Sequence, residues 1–219
     1  MKLSFPQLAL LAVGLLVLLG SAILMFRLNQ PAPDHAVAAA VVALEPEARP
    51  DVPAPPPLQL NGLVFSVDRE RFLVQAKSIA TGETVWESTG QDRFIIPGDA
   101  FPIDLSPEGN LWVANVGRKR LEQLDPQTGR FLASWEPLEP FRGCCNPVRF
   151  AALRHGRFVT VEKGTRQARL FDPAGNAVGI ITGELSPSEF DYRLIHVPDS
   201  VYIIDQQLGR VWTVPDPEN

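Results

Sequence analysis

The chain has 219 residues, with 20 basic and 25 acidic side chains and a formal net charge of −5. That balance argues against a nucleic-acid groove, which needs clustered Lys and Arg. Its two cysteines are adjacent, Cys144 and Cys145, so there is no disulfide framework of the kind that staples small secreted domains.

The first element in chain order is apolar. Leu8 to Phe26 carries no charge, and at about 1.5 Å per residue it spans roughly 28 Å, close to the hydrocarbon thickness of a bilayer. A cleaved signal peptide has a shorter apolar core with a small-x-small site just after it. Here the nearest such site, Ala36-Val37-Ala38, lies well beyond the core. The expectation is an uncleaved transmembrane signal anchor over 8–28, preceded by a cytoplasmic N-terminus over 1–7. Lys2 and the amino terminus on one side, against Arg27 on the other, place the N-terminus inside by the positive-inside rule. The rest of the chain then lies in the periplasm, on the outer side of the inner membrane.

Residues 29–57 form a Pro/Ala-rich linker, from Gln30-Pro31-Ala32-Pro33 to Pro53-Ala54-Pro55-Pro56-Pro57. Proline removes an amide donor and fixes φ, so the expected state is extended and semi-rigid. A short helix over Ala36 to Leu44 would be marginal alone. The linker reads as a spacer, with a proline-motif docking segment as the alternative; His35 within it reads as solvated.

From Leu58 the pattern changes to short strands and turns. The reference strand is Leu111 to Asn115. It recurs 47 residues earlier as Val64-Phe65-Ser66-Val67-Asp68, 47 later as Phe158-Val159-Thr160-Val161-Glu162, and 43 beyond that as Val201-Tyr202-Ile203-Ile204-Asp205. A preceding strand recurs at Phe101 to Leu105, Val148 to Leu153 and Tyr192 to Val197. Gly109 and Gly156 mark one turn of the unit, Gly129 and Gly175 another, where positive φ is cheap only for glycine. Four strands in a period in the forties is the signature of a propeller blade, whose sheet covers its faces by radial stacking. Leu111, Val113, Val159, Val161, Ile203 and Ile204 are expected between the sheets, as are Trp86, Trp112, Trp135 and Trp212. The fold class is all-β: a small or partial β-propeller of about 3.5–4 blades over 58–219. The first copy has proline where its opening strand should stand, and the last stops before a closing strand. A four-bladed ring, an open arc, and half of a homo-oligomer that completes the ring all fit this count.

The segment Asp104-Leu105-Ser106-Pro107-Glu108-Gly109-Asn110-Leu111-Trp112-Val113-Ala114-Asn115-Val116, leading to Asp125, resembles the NHL-repeat family of β-propellers. A partial copy stands at Asp205 to Trp212. Phe141-Arg142-Gly143-Cys144-Cys145-Asn146-Pro147, followed by a strand between Gly156 and Gly164 and then Arg169-Leu170-Phe171-Asp172, is similar to a group of exported bacterial NHL-like proteins. The resemblance covers about residues 100 to 214 and implies a propeller in the cell envelope. It implies no defined activity, because propellers serve as scaffolds, enzymes and structural parts alike.

Cys144 and Cys145 admit three roles. They could form a vicinal disulfide, pack as two small thiols, or act as thiolates that hold a soft metal ion or exchange with a partner's disulfide. Two adjacent cysteines are a poor zinc site without further ligands, for which His155 and His196 are the available histidines. Asp68, Asn115, Glu162 and Asp205 repeat at one strand-end position, and in a ring they gather at one face. With Lys163 they are the candidate binding residues; the alternative is that they cap turns by accepting backbone amides. Arg118-Lys119-Arg120 reads as a solvated basic loop or an anion-attracting one. No nucleophile elbow, zinc helix or phosphate loop occurs. The sequence thus points to a membrane-anchored binding platform with a protein partner in the envelope. A redox or metal accessory built on the cysteine pair is the alternative, and a lyase or hydrolase propeller the third class.

Overall fold

The computed structural model describes residues 56–163, 165–180, 185–186 and 192–217. The N-terminal segment 1–7, the anchor over 8–28 and all but the end of the 29–57 linker lie outside the described residues.

Four antiparallel sheets follow one another along the chain. Blade 1 contains β1 (Gln59–Leu60), β2 (Leu63–Asp68), β3 (Leu73–Ser78) and β4 (Thr84–Ser88). Blade 2 contains β5 (Ile103–Leu105), β6 (Leu111–Asn115), β7 (Arg120–Leu124) and β8 (Phe131–Trp135). Blade 3 contains β9 (Arg149–Ala152), β10 (Phe158–Glu162), β11 (Gln167–Phe171) and β12 (Ala177–Ile180). Blade 4 has three strands, β13 (Tyr192–Val197), β14 (Ser200–Asp205) and β15 (Arg210–Pro215). Within each sheet every strand pairs only with its neighbours in sequence, and the blades are arranged as a four-bladed β-propeller.

The register confirms the repeat. Val113 pairs with Ile103, Thr160 with Phe150 and Ile203 with Leu194, so the second strand meets the first at the same step in three blades. The opening strand of blade 1 is present despite the prolines before it. It is cut to the two residues of β1 after Pro57, because proline cannot donate to the ladder. Blade 4 has no closing strand among the described residues.

Both faces of a middle blade are apolar, because alternate residues point to opposite sides. Leu111 and Val113 of β6 join Phe65, Val74, Ala76 and Trp86 between blades 1 and 2. Trp112, Ala114 and Trp135 join Phe150, Phe158 and Phe171 between blades 2 and 3. Val159, Val161 and Ala168 join Val201, Ile203, Trp212 and Val214 between blades 3 and 4. A fourth cluster consists of blade 4 side chains alone, Ile195, Ile204 and Val211 with Tyr202 beside them. Ile204 is therefore buried as expected, but against no blade 1 residue of that cluster. The matching face of blade 1 is mixed, with Ser66, Gln75 and Lys77 beside Val64 and the buried Leu73, and with Arg71 paired to Glu87 at 2.6 Å. Three apolar seams hold the four blades together, and the first and last blades share none among the described residues.

Two seams carry the same staple. The Trp86 indole donates to the Pro126 carbonyl at 3.1 Å, and the Trp135 indole donates to the Pro173 carbonyl at 3.1 Å. In each case the fourth strand of one blade bonds the last hairpin turn of the next. Those turns use Gly129 and Gly175 at φ +71° and +90°. A Cβ on Gly129 would lie 2.5 Å from the Trp86 ring, so glycine is required there by backbone and space together.

Candidate functional site

The connections between blades, 89–102 and 136–148, enter β5 and β9 at the end where β2, β6, β10 and β14 finish. We call this the loop end. The candidate residues Asp68, Asn115, Glu162 and Asp205 all stand there, at the last position of their strands. The structure gathers them as the repeat predicts, but their side chains are turned to internal work.

Asn115, fully buried, accepts the Ile95 amide at 3.0 Å through Oδ1 and donates to the Glu122 carboxylate at 2.8 Å. Asp205, also buried, accepts the amides of Ser186 at 2.7 Å and Leu208 at 2.9 Å. Asp68 accepts the amides of Glu70 and Arg71 in its own turn. Glu162 forms a fork with Arg169, at 2.5 Å to Nε and 2.8 Å to Nη2. Of the five candidate residues Lys163 alone is exposed, and its backbone amide donates to Asn146 Oδ1 at 2.9 Å. Asn115 and Asp205 thus bind loops to blades and Asp68 caps its own turn, the backbone-capping role weighed above, whereas Glu162 pairs with a side chain of its own sheet.

Glu122 was not singled out by sequence, yet it is completely buried. It accepts the Gln91 amide at 3.1 Å and the Arg120 guanidinium at 3.0 and 2.8 Å, besides Asn115. Its equivalent one repeat on is Arg169, seven residues after Glu162 as Glu122 is seven after Asn115. The signal in the sequence is that matching spacing, which places both members on one sheet face across a hairpin. The basic run is absorbed similarly. Arg118 donates to the Asp92 carbonyl at 3.3 Å, Lys119 to the Phe141 carbonyl at 3.0 Å, and Arg120 to Glu122 and Gln91.

The cysteine bend lies on the loop end between the turns of blades 2 and 3. Phe141 and Asn146 are buried at its base. Asn146 donates to the Arg142 carbonyl at 2.5 Å and accepts from Lys163, closing the bend on itself and onto β10. Gly143 and Cys145 take positive φ, at +74° and +62°. Cys144 is exposed, Cys145 is half-buried, and no disulfide joins them. Neither histidine joins them. His155 lies in the turn between β9 and β10, a full strand away at the far end, where its amide donates to Glu108 at 2.9 Å. His196 bonds Asp104. Among the described residues no group of three or more His, Cys, Asp or Glu is placed to hold a metal ion.

Asp104 and His196 meet where β5 of blade 2 and β13 of blade 4 approach the axis. His196 Nε2 lies 2.8 Å from Asp104 Oδ2, which also accepts the Ala152 amide at 2.8 Å. Burial disfavours the imidazolium, but the hydrogen bond and charge of Asp104, with Asp216 behind it, outweigh both burial and the opposing Arg154. The His196 pKa is therefore held above the ordinary histidine value. A group whose folded pKa is raised contributes stability below its unfolded pKa, about 6.5, and loses it as pH rises through the folded value. Stability should thus fall as pH climbs from about 6 upward, and His196→Gln should flatten that limb of a urea-midpoint profile. An unchanged profile in the variant would remove the ion pair from the account.

No family model matches the chain, and no curated protein does. Solved structures with a similar fold include a streptogramin B lyase (12% identity over 69% of this chain and 46% of that one, TM-score 0.44). Others are the hydrazine synthase of Kuenenia stuttgartiensis (17%, 72% and 47%, TM-score 0.41) and BamB from Moraxella catarrhalis (16%, 80% and 51%, TM-score 0.40). The chain spans about half the length of these proteins.

Proposed function

We propose that the chain is a membrane-anchored, extracytoplasmic β-propeller that works as a binding platform for a protein or ligand of the cell envelope. The observation that carries this reading is the way the loop end is built. Buried Asn115, Glu122 and Asp205 each accept a backbone amide of a connecting loop, and Asn146, within such a loop, accepts the Lys163 amide of blade 3. Loops held on a rigid scaffold are where binding surfaces concentrate. Ordering them in advance lowers the cost of association. On this reading the strand-end residues shape the surface, and a partner meets exposed groups such as Lys163 and the Cys144 bend.

Photo-crosslinking in living cells tests it. A photoreactive residue in place of Cys144 should give a discrete adduct, and the same residue in place of His155 at the far end should give none. Equal yields from both ends, or no adduct from either, would sink the platform. For the anchor and orientation, a C-terminal alkaline phosphatase fusion should be active and membrane-bound; an inactive fusion means the opposite orientation.

A second reading is favoured by the exposed, unbridged Cys144 beside Cys145. There the pair exchanges with a partner disulfide or holds a soft metal ion. Thiol titration of the folded protein decides it: inert thiols and no copurifying metal would end this reading.

A further inference from the structure

We infer that the loop-end mouth of the propeller axis is a binding site for a small carboxylate with an apolar body. It lies beyond the platform reading and does not depend on it. The cavity has a volume of about 400 Å³, within the range of small-molecule sites. It opens among the first residues of the three inner strands β5, β9 and β13, and Gln206 of the β14–β15 turn stands on its rim.

Two arginines occupy the same repeat position. Arg149 immediately precedes Phe150, which pairs with Thr160; Arg193 immediately precedes Leu194, which pairs with Ile203. Blades 3 and 4 thus bring equivalent guanidinium groups to one opening. In blade 2 the same position is Pro102, and blade 1 contributes Pro56 and Leu58. One wall of the mouth is basic and the other is apolar.

The two arginines differ in how they are held. Arg149 is oriented by the carbonyls of Val148 at 2.8 Å and Tyr192 at 3.4 Å. Arg193 is exposed and bonds no described side chain. At the floor, the Asp104 carboxylate is engaged by Ala152 and His196, as described above. A carboxylate fits a guanidinium fork through two parallel N–H···O bonds. An apolar body attached to it would cover Pro56, Leu58 and Pro102, removing their surface from water. Neither wall alone selects this class; together they favour an anion of mixed character over an inorganic one.

The test is calorimetric titration of the full chain in lipid nanodiscs, against empty nanodiscs, with benzoate, benzylamine and inorganic phosphate as probes. Benzoate should bind, with benzylamine and phosphate each at least tenfold weaker. Arg193→Gln should weaken benzoate at least tenfold at an unchanged unfolding midpoint, and Arg193→Lys should fall between. No benzoate binding overturns the inference. So does benzylamine or phosphate binding as tightly as benzoate, or an Arg193→Gln variant that binds like the parent.

Discussion

Trp135→Ala should cost the folded chain about 3–5 kcal/mol, the range for removing a buried tryptophan. The indole ends β8, where it packs 4.5 Å from Phe158 and 5.5 Å from Phe171 of blade 3 and donates to Pro173. Truncation therefore opens a cavity in the seam between blades 2 and 3 and leaves the Pro173 carbonyl without its donor. Trp135→Phe separates the two terms. It keeps an aromatic ring in the seam and loses the bond, a net contribution of about 1 kcal/mol, so it should fall well short of the alanine variant. Urea unfolding of both variants at fixed pH measures this. A loss below about 1 kcal/mol for Trp135→Ala would mean that the seam is not packed through this ring.

Glu162→Ala should be comparably damaging, about 3–5 kcal/mol, because it strands a buried cation. Glu162 is fully buried and Arg169 nearly so, with the guanidinium 4.9 Å above the Phe171 ring. Glu139 comes within 3.8 Å of Arg169, but from an exposed position, where a charge is screened by water and compensates little. Replacing both partners should be far milder than replacing one, because no uncompensated charge then remains. A Glu162→Leu, Arg169→Met double variant should recover most of the loss. Strict additivity of the single effects would show that the two residues are not coupled.

The repeat was legible because period and turn chemistry are local properties of the chain. The strands around Leu111, Phe158, Val201 and Tyr192 stand where their spacing puts them, and Gly109, Gly129, Gly156 and Gly175 all take positive φ. What was hidden is the polar interior. A charged residue in an alternating strand reads as facing water, yet Glu122 and Arg169 face a neighbouring blade. Their partners lie across a hairpin or on the connection that leads into the blade, and no local pattern marks a side chain as internally satisfied. The strand-end position of Asn115, Glu162 and Asp205 was visible for the same reason that the repeat was. Its orientation depends on where the incoming loop passes, which is a tertiary fact. The Asp104–His196 contact joins residues 92 apart, and the mouth with Arg149 and Arg193 exists only once the blades surround an axis.

The chain-order pairing of strands also has a kinetic consequence. Every ladder is closed by a short turn, and the entropy of closing a loop rises with its length. Each sheet can therefore assemble early from neighbouring segments, without the distant pairings that slow most all-β topologies. The slow events left are the dockings of one preformed sheet on the next. Variants at the tryptophan staples should then change refolding rates more than variants inside a single hairpin do.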